Sequence, residues 1–167
     1  MALAIFMGQG WSALDGKGRF SLPAAFRRPL QDQCTPDSSS MLVRALDGKP
    51  YLTIFGDLQA PEFQKKFEEK ERIALSLGQD FDDEAGYRDF WSGIQSVSID
   101  AGGRFALPAL HAQHAGITDS MFIIGAGPQA ELWDLDALRA SSPRNPIVKA
   151  ALELALKERD ARRGGKA

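Results

Sequence analysis

Several kinds of residue that carry protein chemistry are scarce in this chain. Cys34 is the only cysteine among 167 residues, so no internal disulfide can form and a reducing compartment is the simplest expectation. His111 and His114 are the only histidines, and without a cysteine nearby their i, i+3 spacing is a weak metal signature. There is no Ser/His/Asp order, nucleophile elbow or HExxH motif, so nothing points to an enzyme, a cofactor or a small-molecule substrate. Apolar runs all fall short of the roughly 18 residues that a membrane-spanning helix requires. The apolar stretch Met1 to Met7 is too short for a secretory signal core and has no Lys or Arg before it; it reads as a first β-strand of a cytoplasmic protein. An excess of one charge is missing too. With 20 basic and 22 acidic side chains the net charge is −2, which argues against a globally basic nucleic-acid binder. Any positive surface has to be local.

What the chain does contain is an internal repeat. Leu14-Asp15-Gly16-Lys17-Gly18-Arg19-Phe20-Ser21-Leu22-Pro23-Ala24 aligns, at an offset of 85, with Ile99-Asp100-Ala101-Gly102-Gly103-Arg104-Phe105-Ala106-Leu107-Pro108-Ala109. Seven of these eleven positions are identical, whereas chance at about 7% usage per residue would give fewer than one. A weaker correspondence follows, in which Met41-Leu42-Val43-Arg44 and Leu52-Thr53-Ile54-Phe55 mirror Met121-Phe122-Ile123-Ile124 and Glu131-Leu132-Trp133. The chain is two copies of one unit, 1–80 and 81–167, each reading strand, tight turn, strand, short helix, strand, turn, strand.

Local chemistry supports that reading. Asp15, Gly16 and Gly18 suit a sharp reversal, as do Asp100 and Gly103 in the second copy. Beyond the turn, alternation puts Phe20 and Leu22 toward a core and Arg19 and Ser21 outward. Pro23 and Pro108 fit helix starts, Pro29 is expected to stop the first helix, and Gly116 suits the end of the second. A linking helix is expected from about Pro61 to Leu77, with Phe63, Phe67, Ala74 and Leu77 inward and Glu62/Lys66 or Lys65/Glu69 paired outside. Asp82-Asp83-Glu84 opens a short helix ending near Trp91. Asn145-Pro146 starts a carboxyl-terminal helix with an apolar stripe of Ile147, Val148, Ala151, Leu152 and Ala155, after which Arg159 to Ala167 reads as a frayed basic tail. The fold class is α+β, mainly β with helices. Two units that cannot each bury both faces of a sheet are expected to share one pseudo-two-fold β-barrel.

The segment Ser12 to Arg28 holds Lys17, Arg19, Arg27 and Arg28 against Asp15 alone, a local balance of +3. Arginine is the side chain best shaped for phosphate and for guanine O6 and N7, so these residues, with Arg44 as a further phosphate contact, are candidates for contacting double-stranded DNA. A solvated turn whose Arg19 pairs with Asp15 is the plainer alternative, and recurrence as Asp100 and Arg104 favours a shared role. Gly125-Ala126-Gly127 after an apolar strand imitates a dinucleotide fingerprint, but the third glycine is missing and the mirrored Arg44 to Pro50 marks a hairpin turn. Gly16-Lys17-Gly18 lacks the Ser or Thr and the spacing of a phosphate-binding loop.

Phe6-Met7-Gly8, Leu14 to Phe20, Leu22-Pro23 and Phe26-Arg27, with Ile99-Asp100 through Arg104, Leu107-Pro108, Ala115-Gly116 and Glu131-Leu132-Trp133, closely resemble MraZ, a family of bacterial transcriptional regulators. The resemblance extends to about Leu138. It implies two SpoVT/AbrB-type units in a swapped-hairpin barrel, homo-oligomeric rings, and a nucleoid-associated protein. Such proteins bind short G-rich direct repeats upstream of the division and cell-wall gene cluster and typically repress it, their own gene included. The family's Asp-x-x-x-Arg residues fall on Asp15, Arg19, Asp100 and Arg104, and Lys17 matches the basic residue of the first motif; together with Arg27 and Arg28 from the local charge excess, the expected DNA contacts are Lys17, Arg19, Arg27, Arg28 and Arg104. Asp15, Gly18, Asp100 and Gly103 would shape the turns. Gly102 stands where the first copy has Lys17, which implies that the first unit binds more strongly. The competing reading is an AbrB-like barrel that acts mainly as a protein-interaction or antitoxin-like module.

Overall fold

A computed structural model describes residues 3–165. Its framework follows the repeat. The strands β1 (Gln9–Ala13), β2 (Phe20–Ser21), β3 (Ser40–Ala45) and β4 (Leu52–Phe55) come from the first copy, and β5 (Ile94–Ser98), β6 (Arg104–Phe105), β7 (Ser120–Ala126) and β8 (Gln129–Trp133) from the second. Six of them form an antiparallel sheet in the order β1-β7-β8-β4-β3-β5, while β2 and β6 pair separately. Exchanging each strand for its repeat equivalent turns that order into its own reverse. Four pairings, β1 with β7, β3 with β5, β4 with β8 and β2 with β6, cross between the copies.

Burial explains the crossing. Phe20, Leu22, Met41, Val43, Leu52 and Ile54 of the first copy and Phe105, Met121, Ile123 and Leu132 of the second are at most 2% exposed and pack in one cluster. Neither copy can cover these side chains alone. Their removal from water is the main stabilising term, at about 1.5–3 kcal/mol per large apolar side chain. Between the sheet segments run α1 (Ala24–Asp32), α2 (Ala60–Ser76), α3 (Asp83–Ser92), α4 (Ala109–Ala115), α5 (Leu135–Ala140) and α6 (Pro146–Gly164). The helices hold more residues than the strands, so the fold is α+β without being mainly β.

Several local expectations are met. Pro23 and Pro108 precede α1 and α4 in matching extended conformations, and Gly116 closes α4 at φ 69°. Asp82 caps α3 by accepting from the Ala85 N–H at 3.0 Å, and Asn145 caps α6 by accepting from Ile147 and Val148. Gly127 lies in the β7–β8 hairpin at φ 76°, as Gly48 does between β3 and β4 at 73°. Gly127 is thus a hairpin-turn residue, and Gly125 lies in the strand before it, paired with Ala130.

Other expectations are corrected. The first strand begins at Gln9; of the Met1 to Met7 stretch, Phe6 makes one isolated bridge to Gly127, and Met1 and Ala2 lie outside the described residues. Gly8 at φ 86° interrupts extension there. Pro29 does not end α1, because its carbonyl still accepts from the Gln33 N–H at 3.1 Å while buried Leu30 anchors the last turn. Gln33 itself is fully buried: its amide donates to the Ala4 and Pro128 carbonyls at 2.8 and 2.9 Å and accepts from the Gly56 N–H at 3.0 Å. On α2, Phe63 packs on Phe55 and Phe90 but Leu77 is exposed, and the surface ion pairs are Lys65–Glu62 and Arg72–Glu69 at i, i+3. Phe67 packs instead edge-on against Phe81 and tilted against Tyr87, toward the α3 side.

The carboxyl-terminal region differs most. Ile147 is exposed, and the buried stripe of α6 is Val148, Leu152, Ala155 and Leu156, packed with Phe122, Trp133, Leu135 and Leu138 against the outer face of the sheet near Trp11 and Ile124. The helix does not fray at Arg159. That residue is 6% exposed and held by Asp136 at 2.8 and 3.2 Å, so burial and ion pairing carry the helix to Gly164. Lys166 and Ala167 lie outside the described residues.

Candidate nucleic-acid interface

Both Asp-x-x-x-Arg segments fold into the same turn. In the first, the Asp15 N–H donates to the Arg19 carbonyl at 2.8 Å and the Gly18 N–H to the Asp15 carbonyl at 3.1 Å. Asp15 Oδ1 accepts from the Lys17 and Arg19 N–H groups at 2.8 and 2.9 Å, and Oδ2 accepts from Arg19 Nε at 3.2 Å. Asp100 repeats every contact: Oδ1 accepts from Gly102 and Arg104 N–H at 2.9 and 2.8 Å, and Oδ2 from Arg104 Nε at 2.9 Å. Gly18 and Gly103 occupy the left-handed position at φ 76° and 79°, where a side chain is strained. The aspartate therefore organises the turn and also aims the arginine. Backbone N–H donation from Arg19 or Arg104, with the adjacent guanidinium, holds both carboxyls below their ordinary value and keeps them ionised.

The fold brings the two turns together. Pairing of β2 with β6 sets Ser21 opposite Arg104, the Leu22 N–H donates to the Gly103 carbonyl at 2.7 Å, and Arg19 Nη1 lies 3.8 Å from Asp100 Oδ2. Asp15, Arg19, Asp100 and Arg104 thus form one partly exposed cluster, with side chains 28 to 49% accessible. Lys17 is exposed at the tip of the first turn, while Gly102 leaves the second tip without a cation. As alternation indicated, Phe20, Leu22 and Phe105 are buried beneath.

The remaining candidates occupy different settings. Arg27 bridges α1 to the turns: Nε donates to the Leu22 carbonyl at 2.8 Å, and the side chain fills the space beside Gly103, where an added Cβ would come within 2.5 Å of it. Arg28 points into solvent and pairs with Asp32 at 3.1 Å. Arg44 is not on the surface. It is 6% exposed, its guanidinium lies 4.6 to 5.5 Å from the ring centres of Phe90, Phe63 and Phe55, and it donates to Thr53 Oγ1 and Gln129 Oε1 at 3.1 and 2.9 Å. Desolvation lowers its pKa, and the aromatic faces take over part of the lost hydration. It holds the sheet to α2 and α3 and cannot serve as a phosphate contact in this conformation. His111 and His114 donate from Nε2 to two different carbonyls, those of Gly93 and Lys49.

Because α6 continues where a frayed tail is expected, it brings a further group of charges to the first turn. Arg163 donates twice to Asp119, at 2.8 and 2.9 Å, and the Asp119 carbonyl accepts from the Leu14 N–H at 2.8 Å. Arg159, Arg162 and Arg163 line a cleft of about 120 Å³ with Leu14, Asp15, Asp119 and Ser120. The basic composition of this segment was the available signal; the distant partner Asp119 was not.

Among the described residues there is no helix long and apolar enough to cross a membrane and no cluster of metal-ligating side chains. No protein-family model matches the chain. It is similar to proteins named transcriptional regulator MraZ. The one from Kineococcus radiotolerans is 36% identical over 131 residues, covering 78% of this chain and 82% of the relative. That from Paenarthrobacter aurescens is 33% identical over 133 residues, covering 80% and 83%, and that from Gluconacetobacter diazotrophicus is 27% identical over 163 residues, covering 98% of each. With relatives above 30% identity spanning most of both sequences and a repeated, geometrically matched turn, the chain belongs to the MraZ family of transcriptional regulators.

Proposed function

We propose that this protein regulates transcription by binding double-stranded DNA in a sequence-specific manner, without catalysis, through the joined Asp-x-x-x-Arg turns. The single observation that carries the reading is the pairing of two turns with matching hydrogen bonds, each holding a partly exposed arginine, with Arg19 of the first 3.8 Å from Asp100 of the second. Arg19 and Arg104 suit guanine edges, and Lys17 and Arg28 suit phosphates. Arg27 supports the second turn from behind and contributes its charge at the rim. Asp15, Gly18, Asp100 and Gly103 keep the turns in shape. The targets under this reading are short G-rich direct repeats ahead of a division and cell-wall gene cluster that the protein represses, its own gene included.

The two repeat units, 1–80 and 81–167, together make the swapped-hairpin barrel of the SpoVT/AbrB type, a reading supported by the four strand pairings that cross between them. Copies then assemble into a ring, and exposed Ile73, Leu75 and Leu77 on and after α2 supply apolar surface for such contacts. A ring presents several turns at fixed separation, so repeats spaced about one helical turn, roughly 10 bp, engage neighbouring copies on one DNA face. Multivalency raises the affinity of an individually weak patch.

The test is a titration of G-rich direct-repeat duplex at several salt concentrations. Affinity is expected to fall steeply with salt, with log K decreasing by about 0.9 per log unit for each phosphate neutralised. Absence of duplex binding at low salt would reject this function in favour of a module whose partner is protein.

A further inference from the structure

The carboxyl-terminal helix breaks the two-fold likeness of the turns. In the repeat, the Leu14 N–H donating to the Asp119 carbonyl at 2.8 Å is matched by the Ile99 N–H donating to the Ser39 carbonyl at 2.8 Å. Ser39 is uncharged, whereas Asp119 carries a carboxylate that takes Arg163 in two parallel hydrogen bonds. The apolar stripe Val148, Leu152, Ala155 and Leu156 lays α6 along the sheet near Trp11, and the Arg163–Asp119 clasp fixes its last turn beside Leu14 and Asp15. Only the first turn is flanked in this way.

The arginines of that last turn are not equivalent. Arg159 is buried and bound to Asp136 and Asp160, and Arg163 is bound to Asp119. Arg162 is exposed, lines the same cleft as Asp15, and has no ion-pair partner among the described residues. Asp136, Asp160 and Asp119 are engaged by Arg159 and Arg163, and Glu158, one helical turn before Arg162, makes no ion pair with it. A cation held in this way next to the base of the first turn is available to a phosphate.

The geometry points to Arg162 as a backbone-phosphate contact, making α6 part of the DNA-binding surface on the side of the first turn. This rests on the DNA-binding function proposed above. Arg163 and Arg159 are positioning residues: they neutralise acidic neighbours that would repel a phosphate, and they hold the helix end in place. With Lys17 at the tip and Arg162 at the base, the first turn gains two phosphate contacts that the second lacks. Contact to phosphate carries no base information, so Arg162 adds affinity and fixes orientation without altering sequence preference.

The experiment compares wild type, Arg162→Ala and Arg162→Lys on a G-rich direct-repeat duplex and on a scrambled duplex, across a salt series. The exposed, unpaired position predicts unchanged thermal melts for both variants. Arg162→Ala is expected to weaken both duplexes by a similar factor, about five- to tenfold near 0.1 M salt for each engaged copy, and to reduce the salt slope by about 0.9 per copy. Arg162→Lys restores the slope, because a phosphate accepts either cation. Equal affinity and slope for wild type and Arg162→Ala overturns the assignment while leaving the DNA-binding function intact. Failure of wild type to bind either duplex overturns both, and selective loss on the repeat duplex alone overturns the phosphate assignment.

Discussion

Side chains in this protein owe their roles to their partners more than to their type. Arg19, Arg27, Arg44 and Arg163 share one chemistry, yet one is held partly exposed between two aspartates, one braces a turn, one lies among three aromatic rings and one clasps a distant aspartate. Asp119 shows the energetic side. The double hydrogen bond from Arg163 holds its carboxyl down at about 2, against an ordinary value of 3.8. A carboxyl whose folded pKa is depressed contributes stability that is fully present above its unfolded value and is lost as pH falls through the folded one. The melting temperature is therefore expected to drop as pH is lowered from about 4 to 2, and Asp119→Asn should flatten that part of the profile. Thermal melts across that range check this. Gln33 gives a larger effect. It is fully buried and satisfies three backbone groups, so Gln33→Ala is expected to cost about 2–3 kcal/mol in urea unfolding by leaving them unpaired.

Elements differ in how far the sequence could specify them. The turn at Asp15 to Arg19 was legible because its determinants lie within five residues and recur 85 positions later. Helix α3 was legible from its acidic cap. The continuation of α6 past Arg159 was not, since composition reads four basic residues near a terminus as solvated and the stabilising partners, Asp136 and Asp119, are far away in sequence. The burial of Arg44 escaped for a similar reason: the aromatic rings around it come from β4, α2 and α3. The two turns also make a differential prediction. Gly18→Ala meets no atom within 4 Å and costs only its backbone strain, about 1 kcal/mol. Gly103→Ala carries the same strain and also collides with Arg27, so it should destabilise more, and it should release Arg27 from the Leu22 carbonyl. Parallel denaturant titrations of the two variants measure the difference.

Across the whole molecule, the repeat is a statement about mutual dependence. All four cross-copy pairings must form before the shared core of Phe20, Leu22, Phe105 and Met121 is covered. Residues 1–80 or 81–167 expressed alone are therefore expected to unfold or to pair with a second copy of themselves; a stable monomeric fragment by light scattering and thermal melting would contradict this. The repeat itself was visible in the sequence, but which strand pairs with which was not, because hydrophobic alternation specifies a buried face and leaves the neighbour open. The same pairing resolves the apparent conflict between a net charge of −2 and a nucleic-acid partner. β2–β6 pairing gathers Arg19 and Arg104 onto one small surface where Asp15 and Asp100 balance them, and Lys17 at the tip and Arg27 beside Gly103 supply the local positive excess. The most direct test of that account is Arg19→Ala, assayed by gel-shift titration on the G-rich direct-repeat duplex with light scattering on the same sample. The account predicts an unchanged assembly and loss of repeat-specific binding. Wild-type affinity in the variant would contradict it.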